Sequence, residues 1–276
     1  MEPPIMLSIA GSDPSGGAGI QADLKTATAR GVYGAAVITS LTVQNTRGVS
    51  GIHPVPPQFV ADQISAVLAD LGVGAIKIGM LATAEIAAAV AEVLRRHPGP
   101  AIVLDPVMIA TSGDRLVTSD VTAVIKEQLL PLSTVITPNL PETGTLLDRR
   151  PPTSVAEMSQ AAQELRALGV GAVLVKGGHL DQRLQTEPDQ DVTIDVLADD
   201  AGVINFAAPY VDTPNTHGTG CTLSSAIASA LAGGSELRPA VESAKAYLTG
   251  ALRAGADQHI GSGSGPVDHL WQEHTR

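Results

Sequence analysis

The chain has 276 residues, of which 44% are hydrophobic but only 2% aromatic. Its core must therefore be built from Ala, Val, Leu and Ile, which suits a sheet covered by helices. A net charge of −11 makes nucleic acid and anionic membranes poor partners. A single cysteine excludes an intramolecular disulfide. The start lacks a basic signal region and no apolar run reaches about 18 residues, so we expect a cytoplasmic protein.

Short β-branched runs alternate with Ala-rich helical segments along the chain. The predicted strands cover residues 5–10, 35–39, 75–78, 101–105, 134–137 and 172–176. The predicted helices between them cover residues 20–30, 57–71, 83–97, 119–129 and 154–168. After these come an antiparallel hairpin, over residues 192–197 and 203–206, and helices over 222–231 and 238–258. This order predicts an α/β fold with a mainly parallel sheet and helices on both faces.

Three segments lack a regular pattern. Residues 149–152 (Arg-Arg-Pro-Pro) interrupt the alternation, which continues on both sides, so we interpret them as a surface loop and predict a single domain over residues 1–276. Residues 181–191 are polar and are predicted to form a mobile loop. Residues 262–266 (Ser-Gly-Ser-Gly-Pro) are typical of a flexible tail.

Polar or small residues follow every predicted strand up to residue 176. In open parallel sheets, ligands bind at the carboxyl ends of the strands. The residues at these ends are the glycine-rich loop 11–19, Gln44 with Asn45, Gly79 with Met80, Asp105, Asn139 with Glu142, and Lys176 to His179. We predict that they line one site.

The loop over residues 11–19 has several possible roles. Small-molecule binding or a lid is favoured, and a plain tight turn is the simplest alternative. A dinucleotide-binding loop would need an acidic residue about 20 positions later, at the end of the second strand, and none is present. The spacing also differs from a Walker A loop.

Three residues near this loop have a structural and a functional interpretation. Asp23, on the apolar face of its helix, is either a capping or salt-bridge residue or a substrate contact. The Gln44 amide suits the edge of a heteroaromatic ring but could equally form a loop hydrogen bond. The polarisable side chain of Met80 could pack on a flat ring or belong to the core.

The charged residues at the middle strands suggest a phosphate and metal site. Asp105 ends a buried strand and needs a partner or a metal. Asn139 and Glu142 offer oxygens that Mg²⁺ accepts through water, or they cap the following helix. Lys176 could reach a nucleotide phosphate or form a buried salt bridge, whereas Lys77, inside a strand, is predicted to form a structural ion pair.

The run from His217 to Thr222, HGTGCT, is the most informative motif. Two glycines lead directly into an apolar helix, which places free N–H groups and the positive end of the helix dipole at one point. An anion site is therefore predicted there, with His217 serving orientation or chemistry. Cys221, at the helix N-terminus, is expected to have a lowered pKa. An anion site beside a nucleophile or base suggests phosphoryl transfer.

Eight segments together resemble the hydroxymethylpyrimidine/phosphomethylpyrimidine kinases. They are residues 10–26, 44–46, 77–81, 104–108, 137–142, 176–179, 215–222 and 265–267. The resemblance implies a ribokinase-like three-layer α/β sandwich. It also implies ATP-dependent phosphorylation of 4-amino-5-hydroxymethyl-2-methylpyrimidine, and then of its monophosphate, in the thiamine pathway. A homodimer is typical of this family.

The resemblance also implies roles for individual residues. Gln44 would bind the pyrimidine edge, surrounded by Gly11, Asp23, Met80 and Val107. Lys176 would contact ATP phosphate, while Asp105, Asn139 and Glu142 would organise Mg²⁺ and the phosphates, with Asp105 and Glu142 acting on the metal through water. Gly218, Thr219, Gly220 and Cys221 would form the anion hole.

Cys221 stands where related sugar kinases carry an aspartate base. We hypothesise that it takes the proton of the substrate hydroxyl, because a loose phosphoryl-transfer transition state needs only a modest base. Some pyridoxal kinases share the cysteine, so a pyridoxal kinase is one alternative. A non-catalytic vitamin-precursor sensor and a nicotinamide-dependent dehydrogenase are two others.

Overall fold

A computed structural model describes residues 2–108, 118–178 and 192–273; the loop predicted over residues 181–191 lies outside them. Within these ranges one sheet contains nine strands in the order β3-β2-β1-β4-β5-β6-β7-β8-β9. The strands are β1 (Ile5–Ser12), β2 (Tyr33–Asn45), β3 (Gly48–Pro54), β4 (Val73–Ile78), β5 (Ala101–Leu104), β6 (Val135–Ile136), β7 (Ala172–Val175), β8 (Val192–Asp199) and β9 (Gly202–Pro209).

The centre of the sheet is parallel, as predicted. Strands β2, β1, β4, β5, β6 and β7 pair in parallel, whereas β3, β8 and β9 pair antiparallel to their neighbours. The predicted β8–β9 hairpin is confirmed. All six parallel strands therefore end at the same edge, where ligands are expected to bind.

Helices cover both faces, so the predicted three-layer arrangement is confirmed. They are α1 (Gly19–Ala29), α2 (Pro57–Asp70), α3 (Ala84–Arg96), α4 (Ser119–Val124), α5 (Leu140–Leu146), α6 (Val155–Arg166), α7 (Thr219–Ala232) and α8 (Leu237–Gly255). Successive strand residues point to opposite faces. In β1, Leu7 and Ile9 belong to the core beneath α2 to α6, while Met6 belongs to the core beneath α1, α7 and α8.

Three parts of the fold differ from the prediction. Strand β2 continues to Asn45 and forms a hairpin with β3, which the polar, glycine-containing sequence of residues 40–54 did not reveal. The short helix α5, which the capping interpretation of Asn139 and Glu142 implied, was not among the predicted helices because it has only seven residues. The predicted helix over 119–129 changes after α4 into a π-helical turn, Ile125–Leu129.

The prediction of a flexible tail over residues 262–266 was wrong. The backbone N–H of Gly263 donates to Thr46 Oγ1 (3.1 Å) and that of Gly265 to Asn215 Oδ1 (3.1 Å). Composition alone suggested flexibility, but glycine here allows close approach to other chain segments.

No helix in the described ranges is long and apolar enough to span a membrane.

Candidate active site

A cavity of about 570 Å³ runs along the edge of the sheet where the parallel strands end. At one end it is lined by the loop after β1 and by the β2–β3 hairpin. At the other end it is lined by β8, by the end of β9 and by α8. Lys176 and the N-terminus of α7 also line it. Most of the strand-end residues predicted to share one site line this cavity; the exceptions among the described residues are residues 14–17, Asn45, Gly79 and Gly177. His179 lies outside the described residues.

The N-terminus of α7 has the geometry of an anion-binding turn. Gly218 caps the helix with a φ of 80°, a left-handed conformation that favours glycine. A Cβ there would also collide with the carbonyl oxygen of Gly17. The N–H groups of Gly220 and Cys221 have no acceptor among the described residues, whereas that of Thr219 donates to Thr216 (3.3 Å). The turn can therefore donate hydrogen bonds to an anion in the cavity.

The thiol of Cys221 lines the cavity and is partly exposed. Burial raises its pKa to about 11; nearby Lys77 opposes the rise, and the Asp23 and Asp105 carboxylates add to it. The expectation of a lowered pKa, based on the helix N-terminus alone, was therefore wrong. The raised pKa favours the neutral thiol over the thiolate.

Lys176 connects the anion turn to two carboxylates. Its Nζ lies 2.8 Å from Asp105 Oδ1 and 4.0 Å from Glu142 Oε2. Burial alone would lower the pKa of Lys176, but Asp105 and Glu142 raise it above its usual value. An added Cβ at Gly220 would lie 3.3 Å from Lys176 Nζ. The absence of a side chain at Gly220 therefore leaves the lysine open to a bound anion.

Asn139 and Glu142 form a capping box at the start of α5. The Asn139 side chain accepts from the Glu142 N–H (2.9 Å), and Glu142 Oε2 accepts from the Asn139 N–H (2.7 Å). The capping interpretation is thus correct, although both residues also line the cavity. Burial raises the pKa of Glu142 to about 7; Lys176 opposes this rise and Asp105 adds to it.

The carboxylates fit Mg²⁺ held mainly through water and phosphate. Asp105 and Glu142 are both buried at the cavity, where a cation would relieve the cost of charging Glu142. No group of three or more His, Cys, Asp or Glu side chains within the described ranges could hold a metal directly. Mg²⁺ commonly retains several waters and binds one or two carboxylates together with substrate phosphates.

Gly11, Gln44, Met80 and Val107 line the end of the cavity beside β1 and β2. Gln44 and Thr42 point into the cavity from β2, with Gln44 Oε1 3.1 Å from Thr42 Oγ1. A Cβ at Gly11 would lie 2.7 Å from the Met80 methyl carbon, so a side chain there would displace Met80. These four predicted residues are brought together.

Asp23 is not among the residues that line this cavity, and its predicted contact with substrate stays a prediction. Its carboxylate is fully buried and accepts hydrogen bonds from Lys77 (2.8 Å), Ser8 (2.6 Å) and Ser225 (2.6 Å). These donors satisfy the carboxylate from three directions, so the salt-bridge interpretation is correct. The ion pair predicted for Lys77 is confirmed, with Asp23 as its partner.

Sequence reasoning missed a buried hydrogen bond between Asp13 and His217. His217 Nε2 lies 2.8 Å from Asp13 Oδ2, which also accepts from the Ala18 N–H (2.8 Å). Burial alone would raise the pKa of Asp13, but hydrogen bonds from His217 and Ser15 lower it to about 2. The pair joins the loop after β1 to the anion turn. The sequence feature that could have revealed this contact is the acidic residue, Asp13, inside the glycine-rich loop.

The far end of the cavity was also missed. Apolar side chains from the segment after β9 and from α8 line it, namely Val211, Leu248 and Leu252. A buried ion pair, Lys245 to Asp195 (2.7 Å), lies beside them. Asp195 also accepts from the Gly177 N–H (2.9 Å), next to Lys176. The residues are scattered in sequence and meet only through the antiparallel strands β8 and β9.

The geometry agrees with comparisons to known proteins. A family model described as phosphomethylpyrimidine kinase matches residues 13–268. The chain belongs to the phosphomethylpyrimidine kinase family. The kinase resemblance predicted from the motifs is confirmed, and the protein is a phosphotransferase.

Individual relatives extend this result. The hydroxymethylpyrimidine/phosphomethylpyrimidine kinase of Rhizobium meliloti is 50% identical over 96% of this chain and 97% of its own length. The solved phosphomethylpyrimidine kinase of Clostridium difficile is 40% identical, with a TM-score of 0.77 over 89% of this chain and 97% of its own. An ADP complex of Bacillus subtilis pyridoxal kinase is 33% identical, with a TM-score of 0.88 over 99% of both chains. The predicted ribokinase-like fold is confirmed.

Asp23→Asn tests the structural role of the buried pair. The amide keeps the size of the side chain but leaves the Lys77 ammonium buried without its counter-charge. We expect the free energy of unfolding, measured by urea denaturation, to fall by about 3 kcal/mol or more. Asp70→Asn, at the exposed end of α2, is the control and should change little. A stable Asp23→Asn protein with weakened substrate binding would instead support direct contact.

Proposed function

We propose that the kinase transfers the γ-phosphoryl group of ATP to 4-amino-5-hydroxymethyl-2-methylpyrimidine, and then to the resulting monophosphate. The observation that carries the proposal is the arrangement along one cavity: Gln44 and Met80 at one end, the anion turn and Lys176 between, and an apolar end beyond. A flat heteroaromatic ring fits the first end and an adenine base fits the last. The names of the relatives support the pyrimidine substrate.

The first reaction follows from the residues at the anion turn. The N–H groups of Gly220 and Cys221 and the Lys176 ammonium would stabilise charge on the transferring group. The substrate hydroxyl oxygen forms the new bond to the γ-phosphorus while the bond to the β,γ-bridging oxygen breaks and ADP leaves. The Cys221 thiol first releases its own proton to solvent, a step that nearby Lys77 favours, and the resulting thiolate then accepts the hydroxyl proton.

Mg²⁺ would be held by Asp105 and Glu142 through water. When bound, it neutralises charge on the phosphates. Glu142 would also hold Asn139 and the start of α5 in place through the capping box. The Lys245–Asp195 pair would fix the Gly177 backbone, and with it the neighbouring Lys176.

The function is tested by an ADP-release assay with hydroxymethylpyrimidine, its monophosphate and pyridoxal as substrates, with product identity checked by mass spectrometry. We expect ADP release with both pyrimidines and formation of the diphosphate. Activity restricted to pyridoxal would contradict the proposal. The similarity of the fold to pyridoxal kinase is the observation that makes pyridoxal the second candidate substrate.

Cys221→Ala should separate the two phosphorylation steps. The first step removes a proton from an alcohol, whereas the second uses a phosphate oxygen, largely ionised at pH 7.5 because the second pKa of a phosphate monoester is about 6. We expect the kcat of the first step to fall about 100-fold, the scale of general-base catalysis, and that of the second to fall less than about fivefold.

Single-turnover rates with each pyrimidine measure this difference, and Ser235→Ala, at a turn remote from the cavity, serves as the control. Near-normal turnover of the alcohol by Cys221→Ala would exclude the thiol as the base. An equal loss in both steps would assign Cys221 to binding instead.

We also propose a cytoplasmic, single-domain homodimer. Leu41 and Val43, on the face of β2 opposite Gln44, are 50% and 66% exposed. Exposed apolar side chains on an edge hairpin suit contact with a second copy. Light scattering should give about twice the chain mass of 28.2 kDa, and Val43→Lys should give the single mass. A parent protein of 28.2 kDa would contradict the dimer.

A further inference from the structure

Residues 261–266, here called the bridge segment, connect two parts of the cavity wall that lie far apart in sequence. Their sequence, Gly-Ser-Gly-Ser-Gly-Pro, has the composition of a linker. Instead, one end contacts the tip of the β2–β3 hairpin and the other end contacts the segment before the anion turn. No step of the proposed mechanism uses this segment.

The hairpin needs such support because its outer part is only two strands wide. Pairing of β2 with β1 ends at Leu41, opposite Ser12. From Thr42 to Asn45, β2 pairs with β3 alone. An isolated two-stranded hairpin is only marginally stable in water. Gln44 therefore lies on a part of the sheet whose position depends on other contacts.

The bridge segment provides a contact at the hairpin tip. Thr46 lies in the turn between β2 and β3, two residues after Gln44, and its Oγ1 accepts from the Gly263 N–H (3.1 Å). The backbones are packed so closely that a Cβ at Gly263 would collide with the Thr46 carbonyl oxygen and lie 2.9 Å from Arg47 Cα. Gly263 therefore determines how closely the hairpin tip approaches the backbone of the bridge segment.

The other end of the bridge segment is anchored at the anion turn. The Gly265 N–H donates to Asn215 Oδ1 (3.1 Å), and the Gly265 carbonyl accepts from the His217 N–H (3.0 Å). Asn215 Nδ2 donates to the carbonyl of Gly255, at the end of α8 (2.7 Å). Gly265 and Asn215 are buried, so this end is a fixed point directly before Gly218.

We propose that residues 261–266 are a positioning element that fixes the distance between the Gln44 hairpin and the anion turn. The inference rests on the proposed function, in which Gln44 holds the pyrimidine and the turn holds the γ-phosphoryl group. The bridge segment contacts neither reactant. It acts by holding the acceptor oxygen at the distance that phosphoryl transfer needs, where a displacement of about 1 Å can reduce the rate on the order of 100-fold.

Gly263→Ala is the variant that tests this positioning role. The φ of Gly263 is outside the left-handed region, so alanine is strained only by its contacts with the backbone of Thr46 and Arg47. We expect the KM for the pyrimidine to rise about fivefold or more, kcat to fall, and the KM for ATP to stay within about twofold. Ser262→Ala, on the exposed neighbouring residue, is the matched control and should behave like the parent protein.

Thr46→Val is a second variant, which removes the hydroxyl acceptor without adding bulk. It should shift the pyrimidine KM in the same direction by a smaller factor, and Thr46→Ser should restore the parent value. Parent-like kinetics in both Gly263→Ala and Thr46→Val would overturn the proposal. An equal rise in both KM values would overturn it as well, because it would indicate a general distortion of the cavity.

Hydrogen exchange separates this inference from the proposed function, since it needs no substrate. In Gly263→Ala, amides of residues 42–50 should exchange at least about fivefold faster, with those of α7 unchanged. Unchanged exchange at the hairpin would refute the proposed positioning role of the bridge segment. If the hairpin amides exchange faster in Gly263→Ala but the parent protein does not phosphorylate the pyrimidine, the positioning role of the bridge segment stands and the proposed substrate is wrong.

Discussion

The buried ion pair between Lys77 and Asp23 is the contact on which the site depends. It joins β4 to α1, and the hydroxyls of Ser8 and Ser225 extend it to β1 and α7. Both charges are removed from water, so each requires the other. The helix that carries the anion turn is thereby fixed against the strands whose ends form the cavity. Asp23, which the family resemblance placed near the substrate, thus packs α1 and α7 against the strands beneath the cavity.

A second layer of contacts links the loops above that floor. The Asp13–His217 pair holds the loop after β1 against the anion turn, and Gly218 has no side chain because the Gly17 carbonyl occupies that space. The bridge segment extends the same connection to the β2–β3 hairpin. Loops normally move more than the elements they connect. Here a buried hydrogen bond and backbone contacts give them a defined separation, which the proposed phosphoryl transfer requires.

The sequence was sufficient to predict most of the sheet, most helices and the residues at the strand ends, because β-branched runs, Ala-rich segments and strand-end positions are local features. It was insufficient for Asp23, since an acid on an apolar helix face is compatible with a ligand contact or with a salt bridge. The sequence was also insufficient for residues 262–266. Their contact with Thr46 joins positions more than 200 residues apart, and their contact with Asn215 joins positions 50 residues apart. The pKa of Cys221 is raised by burial and, to a smaller extent, by carboxylates that the fold brings near it, whereas sequence position alone suggested a lowered pKa.

The charges around Cys221 explain how an acidic site can accept a triphosphate. Asp23, Asp105 and Glu142 provide three carboxylates, against the two ammonium groups of Lys77 and Lys176. Ionisation of all five leaves one negative charge in excess, which is consistent with the raised pKa values of Glu142 and Cys221. A polyanion can enter such a site only with added positive charge, so binding of nucleotide with Mg²⁺ is favoured over binding of nucleotide alone. The same excess charge opposes formation of a thiolate. In the proposed mechanism most of the rate enhancement therefore comes from the N–H groups of the turn, Lys176 and the cation. The small thiolate fraction of Cys221 accepts the proton late, as the alcohol acidifies on bonding to phosphorus.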